Sequence, residues 1–282
     1  MSKLDKIEIF QEIDRSKKQG KLYIVVPCYN EEEALETSAN SLMKKLEDLS
    51  AKGLISEESR IVFVDDGSKD KTWQIIQSLY QQNEAVIGLR FAHNRGHQNA
   101  ILAGMMYARK YCDFVITIDA DLQQDIEAMD RFIQEYYAEN EIVFGVRNSR
   151  NTDSFFKKTS ATCFYKLMRF LGCNIYENSA DYRLMSAKAL DALSEYEEVN
   201  LFLRGIIPDI GLKTSVVYFD VYPRMQGESK YSLSKMLTLG IDGITSFSIK
   251  PIRMVFAMGI LALIMGFCMI VHVFYEHYFG TT

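Results

Sequence analysis

The stretch YIVVPCYNEEE, residues 23–33, carries the pattern that decides the fold: a short β-rich run, Tyr23 to Val26, breaks into a polar turn, and a helical pattern over Glu31 to Leu49 follows. Further β-rich runs come at Ile61 to Val64, Val86 to Leu89, Phe114 to Ile118 and Ile142 to Val146. Helical spacing separates them at Lys71 to Gln82, Ala100 to Lys110 and Ile126 to Ala138, and Asp70 is placed to cap the first of these. A βαβα order predicts an α/β fold with a Rossmann-like, mainly parallel sheet and helices on both faces. No internal repeat or low-complexity linker interrupts it.

Composition agrees with a folded chain: 282 residues, 48% hydrophobic, 24% charged and 12% aromatic exclude disordered, collagen-like and disulfide-scaffold classes. With 32 Lys and Arg against 37 Asp and Glu, the net charge of -5 removes the broad basic field of a general nucleic-acid binder. Any basic chemistry must be local. Five scattered cysteines (Cys28, Cys112, Cys163, Cys173, Cys268) form no C-x-x-C pair, which points away from a disulfide framework or zinc site and toward a reducing compartment. The charged residues 1–20 contain no secretory signal, so the expected location of this part is the cytosol.

Ligands of open α/β sheets sit at the carboxyl ends of the strands, and the polar clusters fall there: PCYNEEE after the first run, DDGSKD after the second and DADLQQ after the fourth. There is no G-x-G-x-x-G after the first strand and no G-x-x-x-x-G-K-[ST], which points away from dinucleotide oxidoreductases and P-loop kinases. The strand ends supply carboxylates instead: Asp65, Asp66, Asp119 and Asp121. Such hard oxygen ligands suit Mg²⁺ or Mn²⁺ bridged to a diphosphate. DDGS is also good turn chemistry, and acidic loops occur on ordinary surfaces.

Toward the other end, Met254 to Tyr275 contains no Asp, Glu, Lys or Arg, and His272 is its only side chain that can gain charge near neutral pH. At about 1.5 Å rise per residue this run reaches roughly 33 Å, enough to cross a bilayer core. Lys235, Lys250 and Arg253 precede it and neither Lys nor Arg follows, so the positive-inside rule puts the large N-terminal part in the cytoplasm and the C-terminus outside. Residues 232–248 have near-helical apolar spacing, and Pro251 separates them from the span; they read either as an amphipathic helix in the bilayer interface or as an ordinary helix packed on the domain. The expected division is residues 1–230 as cytosolic domain, 231–250 as juxtamembrane amphipathic helix and 251–282 as membrane helix with a short external tail.

The motifs VVPCYNEEE (25–33), VDDGSKDKT (64–72), NRGHQNAILAG (94–104), IDADLQ (118–123), DYRLM (181–185) and RMQGESKYS (224–232) resemble, in order, those of inverting GT-A glycosyltransferases of family 2. Nearest in pattern are the polyprenyl-phosphate glycosyltransferases, the group of dolichol-phosphate mannosyltransferase and bacterial undecaprenyl-phosphate glucosyltransferases. The resemblance implies that Pro27, Tyr29, Asn30 and Glu31 line the nucleotide pocket, with Asp65 or Asp66 on the uracil edge. It implies that Asp119, Ala120 and Asp121 face the metal and diphosphate, with Gln123 as a further metal neighbour. Strand residues two apart point the same way, so both aspartates can meet one ion.

An acceptor lipid phosphate, with a second pKa near about 6, is largely deprotonated at pH 7, so the reaction needs cations around it more than a strong base. Candidates are Arg147, Arg183, Arg224 and Lys230, with Lys157, Lys158 and Ser160 as looser matches. Asp181 reads as an orienting partner for an arginine or as a base toward a hydroxyl acceptor. His97 reads as a phosphate contact or a helix-start polar contact, and Phe155, Phe156, Phe164 and Tyr165 as core or as a lipid-facing groove.

The implied reaction is a single in-line displacement at the anomeric carbon, from a UDP-sugar to polyprenyl phosphate, with glucose as first choice of sugar and N-acetylglucosamine, galactose, mannose or aminoarabinose behind it. Rival readings are a transferase to a sugar hydroxyl, a processive synthase and a non-catalytic nucleotide-sugar-binding scaffold. The processive enzymes carry Q-x-x-R-W, and the single tryptophan here is Trp73, in an early helix. By family analogy the expected setting is the cytoplasmic membrane and the expected assembly a homo-oligomer, up to a tetramer. Close bacterial relatives usually carry two C-terminal membrane helices, so the expectation here is a reduced anchor or a shortened chain.

Overall fold

The computed structural model describes residues 19–148, 178–196, 202–222 and 250–280. In chain order its elements are β1 (Leu22–Cys28), α1 (Leu35–Ala51), β2 (Arg60–Asp65), α2 (Thr72–Gln82), β3 (Val86–Arg90), α3 (His97–Ala108), β4 (Phe114–Thr117), α4 (Ala128–Tyr137), β5 (Ile142–Arg147), β6 (Ser179–Ser186), α5 (Ala187–Leu193), α6 (Leu203–Asp209), β7 (Thr214–Phe219) and α7 (Lys250–Phe279). The chain divides into two compact units: Met1–Gly145 with Ala180–Asp191 and Leu212–Gly227, and Val146–Ser179 with Ala192–Gly211 and Glu228–Thr282.

Seven strands form one sheet in the order β3-β2-β1-β4-β6-β5-β7. β1 pairs in parallel with β2 and β4, and β2 with β3, while β6 lies antiparallel to β4. Every residue of β1 is buried, as a strand covered on both faces requires. On one face Leu22, Ile24 and Val26 join a core with α1, α2 and α4. α1 supplies Leu35, Ala39, Leu42, Leu46 and Leu49, a stripe at helical spacing. Val25 and Val64 point the opposite way and meet α3 so closely that a Cβ on Gly104 would stand 2.3 Å from Val25 Cγ1. Only a glycine lets α3 lie this near the sheet.

Pro27 sits inside β1, opposite Val64. Its missing N–H breaks no ladder, because the pairing of β1 with β4 ends at Val25 and Thr117. The expected fold class holds, with two additions. β6 and β7 were not among the expected strands, and α3 starts at His97 rather than Ala100. β6 reads SADYRLMS, in which Asp181 and Arg183 break the apolar signature; they are nonetheless buried, because they pair with each other. Tyr182 between them faces the opposite way and packs between Phe132 and Phe219, at ring-centroid distances of 4.7 and 5.2 Å.

In the second unit, α6 buries Leu203, Ile206 and Ile207. α7 contains one segment, Val255–Phe279, that is 25 residues long with mean hydropathy 2.4, long and apolar enough to cross a membrane. Pro251 falls in its first turn, where a proline costs no helical hydrogen bond. Residues 232–248, read as an amphipathic helix, lie outside the described residues.

Candidate active site

The turns after β1 and β2 are tied to each other by a ladder of side-chain bonds. Asn30 N–H donates to Ser68 Oγ (2.9 Å), Glu31 N–H to Thr72 Oγ1 (2.8 Å), Lys69 N–H to Asn30 Oδ1 (2.9 Å) and Lys71 N–H to Glu32 Oε2 (3.0 Å). Asn30 turns the chain at φ 52°, in the left-handed region that asparagine tolerates. Asp70 accepts from Thr72 N–H (2.9 Å) and Glu32 N–H (3.2 Å), so it does secure the start of α2. Burial pushes the Asp70 carboxyl up, but hydrogen bonds from Thr72 and Glu32 outweigh it and hold it below the ordinary range. Burial, then the charges of Glu31 and Asp65, push the Cys28 thiol well up, so Cys28 is a neutral part of this wall.

Asp65 and Asp66 are both buried at the end of β2. Asp65 accepts from Ser68 N–H (3.0 Å) and pairs with Arg90 Nε (3.1 Å), whose guanidinium lies over the Trp73 ring. Asp66 accepts from Arg95 N–H (2.6 Å) and Gly96 N–H (2.9 Å) and so holds the loop between β3 and α3. Gly67, at φ +67°, is pressed against that loop: a Cβ there would stand 2.6 Å from the Asn94 backbone nitrogen.

Three segments converge beyond the end of β4. Asp119 follows the strand; Asp181 and Arg183 come from β6; His97 and Gln98 open α3. His97 Nε2 stands 3.4 Å from Asp119 Oδ1 and 3.6 Å from Asp181 Oδ2, and Gln98 Nε2 reaches Asp181 Oδ2 at 3.4 Å. Asp181 Oδ1 pairs with Arg183, and Thr117 Oγ1 donates to the Asp181 carbonyl. Asp119 Oδ2 accepts from Gln124 Nε2. Its Oδ1, like Gln124 Oε1, is buried and accepts no hydrogen bond. Unmatched hard oxygens of this kind, with Asp121 two residues on, fit a divalent cation.

Asp121 Oδ1 accepts from Gln123 N–H (3.2 Å), and Leu122 adopts φ 45°, which curls the segment back on itself. Ala120 is buried between the two aspartates. Gln123 offers its carbonyl to Tyr222 N–H (2.9 Å). Tyr29 and Glu31 stand partly exposed beside the tied turns, and Pro27 lies in β1 beneath them. Arg147 ends β5, its N–H bonded to the Asn178 carbonyl at 3.3 Å. Lys157, Lys158, Ser160, Arg224 and Lys230 lie outside the described residues.

Sequence reasoning passed over Gln98, Thr117 and Gln124 and gave His97 only a minor part. The sequence carried little signal for His97 and Gln98, because the apolar helical spacing begins at Ala100 and both read as loop residues until the structure places them in the first turn of α3. A second acidic group, Asp48, Glu127 and Asp130, brings its carboxylates together elsewhere. It is already filled: Lys45 Nζ stands 2.5 Å from both Glu127 and Asp130, and Lys52 Nζ 2.9 Å from Asp130. This group clamps α1 to α4 and offers a cation no place.

Residues 23–194 match the family model of glycosyl transferase family 2. An uncharacterised glycosyltransferase of Bacillus subtilis, YkoT, is 49% identical over 241 residues, covering 86% of this chain and 72% of its own. A prophage bactoprenol glucosyl transferase homolog of Escherichia coli is 37% identical over 234 residues, 83% of this chain and 74% of its own. Among solved structures, the fold resembles glucosyl-3-phosphoglycerate synthase from Mycobacterium tuberculosis, crystallised with Mn²⁺, UDP-glucose and phosphoglyceric acid. That likeness has a TM-score of 0.51 at 14% identity, over 80% of this chain and 78% of the other. A mainly parallel sheet with carboxylates gathered past β4, and a sequence that matches from β1 through α5, make this chain a GT-A glycosyltransferase of glycosyl transferase family 2.

Proposed function

We propose that this glycosyltransferase moves glucose from UDP-glucose to a polyprenyl phosphate, with inversion at the anomeric carbon, on the cytoplasmic side of a membrane. The observation that carries the reading is the carboxylate group past β4 in a chain 37% identical to a bactoprenol glucosyl transferase homolog. Asp119 and Asp121, with Gln123 beside them, are the residues suited to hold Mg²⁺ or Mn²⁺, and such an ion offsets the charge of a departing nucleoside diphosphate. Pro27, Tyr29, Asn30 and Glu31 line the nucleotide side. Asp65 and Asp66 shape that wall through their bonds to Ser68, Arg90, Arg95 and Gly96.

Arg183 steadies Asp181 and, with Arg147, Lys157, Lys158, Ser160, Arg224 and Lys230, forms the proposed acceptor-phosphate set. Such a cationic set reduces repulsion between two anionic substrates, and it leaves no demand for a strong base. The apolar segment Val255–Phe279 supports a membrane anchor, with residues 1–230 as the catalytic part facing the cytosol, 231–250 as the juxtamembrane stretch and the C-terminus outside. Homo-oligomerisation belongs to the same proposal.

A hydroxyl acceptor is the second reading, favoured by Asp181 standing 3.6 Å from His97 in a pairing suited to accept a proton. One assay separates the two: transfer of radiolabel from UDP- and GDP-sugars to undecaprenyl phosphate or to glycoside acceptors, in detergent, with Mn²⁺ or Mg²⁺ against EDTA. The proposal expects a metal-dependent lipid product from UDP-glucose. A product on the glycosides alone overturns the lipid acceptor, and a product from another donor alone overturns glucose.

A further inference from the structure

We infer that Gln124 is a positioning residue for Asp119, and that its amide decides which carboxylate oxygen is left for a cation. The inference rests on the proposed cation role of Asp119. Gln124 is 2% exposed, and its Nε2 donates to Asp119 Oδ2. Oδ1 of the same carboxylate is buried and accepts no hydrogen bond, with His97 Nε2 3.4 Å away, so the bond from Gln124 occupies one oxygen and leaves the other to face a cation beside the imidazole.

The backbone fixes the amide in turn. Gln124 bridges antiparallel to Val221, Tyr222 N–H donates to the Gln123 carbonyl at 2.9 Å, and Leu122 N–H returns to the Asp119 carbonyl at 3.3 Å. A five-residue curl thus carries the amide back to the residue from which it started, and the chain after β7 holds it there.

The residue type supports the same conclusion. Gln124 Oε1 is buried without a donor, a burden that a methionine of equal length would not carry while filling the same space. What the amide supplies in return is its bond to Asp119. A glutamate would set a second negative charge against that carboxylate, whereas the neutral amide donates to it and leaves its charge intact.

The test measures Mn²⁺ binding to the full-length protein in detergent by electron paramagnetic resonance of the free ion, with and without UDP, so that it does not depend on turnover. Gln124→Met is expected to raise the Mn²⁺ dissociation constant about tenfold or more with no loss in the thermal unfolding midpoint. Gln124→Asn keeps the amide but draws it back by one methylene, and it gives the same reading if the methionine variant fails to fold. Wild-type Mn²⁺ affinity in either folded variant overturns the inference. Asp119→Asn is the parallel arm: if it binds Mn²⁺ as the parent does, the cation role of Asp119 falls first. Loss in Asp119→Asn with no change in the Gln124 variants rejects the positioning role alone.

Discussion

The imidazole Nε2 of His97 lies 3.4 Å from Asp119 Oδ1, so the first turn of α3 touches the carboxylate that follows β4. The ring also approaches Asp181, which makes it the one side chain near both carboxylates among the contacts described. We expect His97→Ala to lower kcat/KM for transfer by about 10–100-fold, as loss of a group that orients a ligand carboxylate does. Its partly exposed ring should contribute little to folding, with a stability change within about 1 kcal/mol. Steady-state kinetics beside calorimetry checks this, and full activity in a folded variant would remove the ring from the site.

Asp119→Ala and Asp121→Ala should each abolish metal-dependent transfer, by more than about 100-fold, while leaving the thermal unfolding profile close to that of the parent. Both residues sit past a strand end and neither belongs to the apolar core. Normal turnover in either variant would contradict the cation assignment for that residue.

Gly67→Ala is a stability test of the loop wall. Its φ is +67° and an added Cβ would meet the His93 and Asn94 backbone at 2.6 Å, so strain and collision add together. A loss of about 2–4 kcal/mol is expected. Gly96→Ala is the internal comparison: φ is +93°, but nothing lies within 4 Å of the new atom, so only the conformational part remains. Equal denaturation midpoints for the two variants would show that the collision relaxes.

The clamp between α1 and α4 should leave a pH signature. Burial alone pulls the Lys45 ammonium down, but its hydrogen bonds to Asp130 and Glu127, then their charges, leave it above the ordinary lysine value of 10.5. A group raised in the folded state contributes stability that is complete below its unfolded pKa and is lost as pH rises through the folded one. We expect Lys45→Met to cost about 1 kcal/mol at pH 7, because Lys52 still serves Asp130, and the gap to the parent to close above about pH 10.5. Urea midpoints for both proteins from pH 7 to 11.5 give the comparison; a gap that does not change with pH would mean that Lys45 acts by packing alone.

Strands that are apolar throughout were legible, since nothing but burial explains IVFV or FVIT in a soluble sheet. β6 was not, because Asp181 and Arg183 interrupt its apolar run: the motif marked them as site residues, with Asp181 as an orienting partner for an arginine, but only the fold shows that they pair inside a buried strand. Asp119 and Asp121 announce themselves by spacing along one segment. His97 and Gln124 do not, since their roles arise from proximity to Asp119: His97 comes from a distant helix, and Gln124 returns only because Leu122 turns back at φ 45°. The acidic trio on α1 and α4 shows the opposite failure, where proximity alone mimics a cation site and the lysines that fill it decide otherwise.

The antiparallel placement of β6 beside β4 has a consequence for how such an enzyme can change. Asp119 leaves one strand and Asp181 lies in its neighbour, which runs back the other way, so both arrive at the same edge however much chain joins them. Closing a longer connection costs only about 0.6 kcal/mol for each doubling of its length. Little of the connecting chain can use that freedom, since Asp121, Gln124, α4 and β5 all lie in it and are fixed by their bonds and by the core, so the two carboxylates stay together only while that packing holds.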